Sequence, residues 1–90
     1  MAAISLPQAF RSICKGETSI SIDGLLSCGQ LVQALAEKYP LLKKYLFDSS
    51  GQINRFLNIY VNDRDSRELP SHFIIQPNDQ VTILTSLVGG

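Results

Sequence analysis

Apolar and polar positions alternate twice near the start of the chain. Ile4 and Leu6 interleave with Ala3 and Ser5, and Ile20 and Ile22 interleave with Ser19 and Ser21. A period of two sends successive side chains to opposite faces of a strand. Lys15-Gly16-Glu17 lies between the two runs and reads as a turn, so they form a hairpin with a longish loop. Asp23-Gly24 closes the second strand. The period then lengthens. Leu31, Leu35 and Tyr39, with Val32 and Ala36, share one face at helical spacing, while Gln33, Glu37 and Lys38 lie mostly elsewhere. Ser27 is placed to cap this helix, and Gln30 three residues on completes a capping box. Pro40 stops it or starts another. Leu41 to Phe47 suits a short second helix with Lys43 and Lys44 outward.

Alternation returns after the loop Asp48-Ser49-Ser50-Gly51-Gln52. From Arg55 to Asn62, Leu57, Ile59 and Val61 take one face, and Phe56, Asn58, Tyr60 and Asn62 the other. Asn62-Asp63-Arg64-Asp65 is a polar turn, and Ser66 to Glu68 is expected to pair at a sheet edge. Pro77-Asn78-Asp79 makes another turn, and Val81-Thr82-Ile83-Leu84 is the final strand.

This order predicts an α+β fold: a mixed sheet of four to five strands packed on one main helix, with a short second helix. The long connection through the helix supplies the crossover that parallel pairing of first and last strands requires. That arrangement is the β-grasp, or ubiquitin-like, fold. Residues 1–84 form the domain, and 85–90 a flexible tail ending in Gly89-Gly90.

Composition narrows the function. Ninety residues make one small domain, and a hydrophobic fraction of 44% suffices for one core. Eight basic residues balance eight acidic ones, which argues against nucleic acid, whose binding rests on phosphate neutralisation. No apolar run reaches membrane-spanning length, and the first residues lack the basic and apolar regions of a secretory signal. Cys14 and Cys28 are too few and too far apart for a CxxC redox or zinc pattern. They read as free thiols in a reducing cytoplasm, although Cys28 near a helix N-terminus is a place where thiol pKa can fall.

No catalytic or metal constellation is visible. His72 stands alone. Asp63 and Asp65 resemble half a calcium loop, but no glycine and glutamate follow at the required spacing. The mixed signs of Asp63, Arg64, Asp65, Arg67 and Glu68 are those of a solvated turn. Arg55 reads as a solvated charge at a strand start, with a partner carboxylate as the alternative. The informative element is Gly89-Gly90. Two glycines add nothing to a core but present a carboxylate with no nearby side chain, thin enough to thread into another protein. Taken alone, the pair also suits a frayed terminus.

Arg55 to Asp63, the Asn78 to Leu84 strand entry and Gly89-Gly90 together resemble the ThiS/MoaD sulfur carriers. Arg55 to Asp63 is most similar to the branch that feeds cysteine biosynthesis. The second half resembles the family closely, the first half only by pattern. Two features differ: Thr85-Ser86 stands where many relatives have proline, and the Ser66 to Gln76 loop lacks the usual Gly-rich, acidic character.

The resemblance implies a protein co-substrate rather than an enzyme, with no bound cofactor. A ubiquitin-activating-like (ThiF/MoeB-type) enzyme would use ATP to adenylate Gly90, and a sulfur donor would convert it to a thiocarboxylate. That sulfur would serve cysteine, thiamine or molybdopterin synthesis through a sulfur-acceptor synthase. Leu87, Val88 and Gly89 would thread the tail into the activating enzyme. Phe56, Tyr60 and Leu84, on the sheet face away from the helix, would dock partners, with Leu87 extending the apolar patch. The free protein is expected to be a monomer. A ubiquitin-like modifier joined through Gly90 to target lysines, or a passive ubiquitin-like binding module, are the alternatives.

Overall fold

Strand β1 (Ala2–Ser5) pairs antiparallel with β2 (Ser19–Ile22), Ile4 opposite Ile20 and Ser5 opposite Ser19. The computed structural model describes residues 2–24, 26–70 and 72–85. The loop between the strands holds a helical turn, α1 (Gln8–Arg11), which the apolar pattern does not announce. Its Phe10 is fully buried, and the chain leaves through Lys15 and Gly16, both at positive φ.

Helix α2 (Cys28–Lys38) begins as its capping box predicts. The Gln30 amide donates to Ser27 Oγ at 3.2 Å, and the Ser27 amide donates to Gln30 Oε1 at 3.0 Å. Leu31, Val32, Leu35 and Ala36 form its buried face. Pro40 opens a 3-10 turn (Pro40–Leu42) that runs into α3 (Lys43–Leu46), burying Leu42 and Leu46.

Strand β3 (Leu57–Val61) is shorter than the expected Arg55–Asn62. Asn54 holds its entry in a turn, its Oδ1 accepting the Phe56 amide at 3.0 Å and its carbonyl the Leu57 amide at 3.0 Å. Asn62 and Asp63 both adopt positive φ, 50° and 72°, the geometry of a two-residue hairpin turn. The return strand therefore starts at once: β4 is Arg64–Asp65, paired with Val61 and Tyr60. The expected edge pairing of Ser66 to Glu68 is corrected by this tight turn. Those residues form a 3-10 turn instead, because the Asp65 side chain accepts the Arg67 amide at 2.9 Å and bends the chain away. Ile75 forms an isolated bridge with Leu26, its amide donating to the Leu26 carbonyl at 2.7 Å.

The last strand, β5 (Gln80–Thr85), runs one residue past the expected boundary. The sheet order is β2-β1-β5-β3-β4, with β5 parallel to β1 and antiparallel to β3. This is the β-grasp arrangement. Its core gathers Ile4, Leu57, Ile59, Val61, Val81 and Ile83 from the sheet, Leu31 and Leu35 from α2, and Cys14 from the first loop.

Candidate partner-docking surface

The β3–β5 register sets what lies outside. Asn58 faces Leu84 and Tyr60 faces Thr82 across the ladder. Alternation turns these four away from buried Leu57, Ile59, Val61, Val81 and Ile83. Leu84 is 49% exposed and Phe56 42% exposed, whereas Tyr60 is half-buried. Phe56 lies just before β3 rather than within it. The tail residues Leu87, Val88, Gly89 and Gly90 lie outside the described residues.

The face is less apolar than its apolar members suggest. Arg67 Nε donates to Asp65 Oδ1 at 3.1 Å, and Arg67 Nη2 to Asp65 Oδ2 at 3.0 Å. The same Nη2 donates to Asn58 Oδ1. A guanidinium thus clasps the residue directly across from Leu84. The hydrogen bonds and charge of Arg67 hold the Asp65 carboxyl below the usual carboxylate range, and Asp65 in turn raises Arg67. Arg55 sits with its guanidinium carbon 5.2 Å from the Phe56 ring centroid, a cation–π distance.

Sequence reasoning assigned Phe56, Tyr60 and Leu84 to this surface, placed Asn58 on the same strand face without giving it a role, and missed Arg67. The clasp joins residues nine positions apart through a turn whose geometry is set by Asn62 and Asp63. The Asp65-Arg67 spacing in the charge run was the available signal.

Neither thiol is shifted toward the thiolate. Cys14 is buried in the core and Cys28 is the half-buried first residue of α2; burial pushes both thiols up, with Glu17 adding to the shift at Cys14. Cys28 thus lacks the lowered pKa that its place at a helix start suggested. Among the described residues, no group of three His, Cys, Asp or Glu is arranged to hold a metal. Nor is any helix among them long and apolar enough to cross a membrane.

Known proteins share both sequence and shape with this chain. The model of the ThiS family matches residues 4–90. Sulfur carrier protein CysO of Mycobacterium tuberculosis is 36% identical over 90 residues, covering 97% of this chain and 96% of that protein. The crystal structure of M. tuberculosis CysO matches with a TM-score of 0.81 and 33% identity, over 97% of this chain and 100% of that one. A chain in the crystal structure of the Amycolatopsis orientalis BexX/CysO complex matches with a TM-score of 0.80 and 26% identity, over the full length of both.

Proposed function

The chain belongs to the ThiS family, whose members are sulfur carriers rather than enzymes, and from that premise we propose that Gly90 carries the sulfur, for cysteine biosynthesis in the cytoplasm. The observation carrying this reading is the family match, which runs to residue 90 and includes Gly89-Gly90. The 36% identity to CysO supports the cysteine branch over thiamine or molybdopterin.

A carboxylate at neutral pH is a poor electrophile. It is ionised, with a reference pKa of about 3.3–3.7. An activating enzyme of ThiF/MoeB type joins the Gly90 carboxylate to the α-phosphate of ATP, and pyrophosphate leaves. Hydrosulfide, or a donor delivering sulfur at that oxidation level, then attacks the acyl carbon and AMP departs, leaving a thiocarboxylate. The acceptor synthase takes the sulfur from there. The carrier itself has no turnover; it presents a reactive group on a folded handle. The exposed residues Phe56 and Leu84 and half-buried Tyr60 form the handle's docking side. The A. orientalis BexX/CysO complex is a precedent for a relative held by a partner.

The test is intact mass after incubation with ATP, a candidate activating enzyme from the same cell and a sulfur donor. The expected result is a gain equal to exchanging one oxygen for one sulfur, localised to Gly90. Covalent attachment to target lysines without that gain would overturn the carrier reading in favour of a modifier.

A further inference from the structure

A cleft of about 250 Å³ opens beside β3, where Ile53, Arg55, Leu57, Ile59, Ser66 and Arg67 line it. It exists because β4 is short. β4 pairs with Tyr60 and Val61 only, so the edge of β3 before Tyr60 is flanked by the Ser66–Glu68 turn and the Asn54 turn. Buried Leu57 and Ile59 are part of its apolar lining, and Arg55 and Arg67 are its two charged members.

The two arginines are held differently. Asp65 and Asn58 occupy the Nε and Nη2 positions of Arg67, leaving its Nη1 edge for another acceptor. Arg55 makes no ion pair among the described residues. The Phe56 ring supports it without neutralising it. Asp65 therefore serves Arg67 alone, and Arg55 is left without a carboxylate partner among the described residues. Guanidinium forks match carboxylates in shape and charge. The volume falls below the roughly 300–1,000 Å³ of ordinary small-molecule sites and suits a single side chain.

We propose that this cleft receives a Glu or Asp side chain of a partner enzyme, its stem on Leu57 and Ile59 and its carboxylate between Arg55 and Arg67. Phe56, exposed just before β3, carries Arg55 on its ring and so links a cleft residue to an exposed apolar one. The proposal takes the partner's identity from the carrier reading, but the cleft is tested without activation chemistry.

The probe is the capped tripeptide acetyl-Leu-Glu-Leu-amide, titrated into the 15N-labelled protein, with the Gln analogue and sodium acetate as controls. Saturable shifts are expected at the Arg55 and Arg67 Nε–H signals and the Leu57 and Ile59 amides, with the Glu peptide alone. Arg55→Glu should weaken this binding at least tenfold while the remaining amide spectrum stays native. Equal shifts from the Gln peptide, no shifts at millimolar peptide, or shifts centred on Lys43 and Lys44 would overturn the proposal. The same shifts from acetate alone would also overturn it and mark a small-anion site instead. Failure to form a thiocarboxylate, by contrast, would sink the carrier reading and leave these outcomes standing.

Discussion

Asn62 Nδ2 donates to Asp79 Oδ1 at 2.8 Å, tying the turn after β3 to the turn before β5 across 17 positions. Asn62 Oδ1 also accepts the Gln80 amide at 2.9 Å, and Asp79 Oδ2 accepts the Gln76 amide at 2.8 Å. One asparagine at φ 50° thus adopts the left-handed turn and fixes where the last strand begins. Asn62→Gly keeps the turn and loses the side-chain bonds, for a cost of about 1–2 kcal/mol. Asn62→Ala loses the same bonds and keeps a β-carbon at positive φ without the polar side chain that lets Asn tolerate it, for a total of about 2–3 kcal/mol. Urea unfolding should rank the two in that order. Asp79→Ala should cost less in the Asn62→Gly background than alone.

Leu84→Asp should fold, because half of Leu84 is already exposed, and should bind the activating enzyme at least tenfold more weakly, about 1.4 kcal/mol. Titration calorimetry against that enzyme measures the change. Unchanged affinity would remove this face from the docking surface.

Gly89→Ala, and separately one residue added after Gly90, should stop thiocarboxylate formation while leaving the unfolding midpoint where it was. A β-carbon restricts φ and widens the segment that the proposed threading role sends into a narrow channel. Mass analysis of the activation reaction is the readout, and normal conversion by either variant counts against the threading role.

The pH behaviour of Asp65 has a definite sign. Its folded pKa lies below the ordinary value because Arg67 holds the charged form. The stability this contributes is present above the unfolded aspartate value of about 3.9 and disappears as pH falls through the folded value. Carboxyl-carbon NMR should find Asp65 titrating below that range, and Asp48 likewise, since Ser50 and the Gln52 amide hydrogen-bond its carboxylate. Arg67→Ala should move the Asp65 midpoint upward and leave that of Asp48 alone.

Where neighbours in sequence decide the structure, the chain could be read directly. Ser27 and Gln30 announced the start of α2, and alternation from Leu57 to Val61 announced which side faces the helix. The turn that buries Phe10 was not legible. Gln8–Arg11 is a single helical turn, too short to show a period, and it is held by tertiary packing such as the Phe10–Tyr45 ring contact at 5.9 Å. The edge was misplaced by two residues because the Asn62-Asp63 pair makes a tighter hairpin than its four-residue polar run implies. The clasp of Arg67 on Asn58 depends on that displaced edge, so it followed the error out of view. Gly89 and Gly90 were the reverse case. They lie outside the described residues, and the role proposed for them rests on residue type and position rather than on packing.

β5 sits between β1 and β3, and every other strand reaches the rest of the sheet through it. A ribosome makes that strand after the other four. The β1–β2 and β3–β4 hairpins can form early, but they have no shared edge until Gln80 to Thr85 emerge, and such long-range closure is slow. A copy broken off before Gln80 exposes strand edges and apolar faces that invite aggregation or degradation. Truncation before Gln80 therefore removes the strand that joins the two hairpins. Placing the last-made strand at the centre makes closure of the whole sheet wait for that strand.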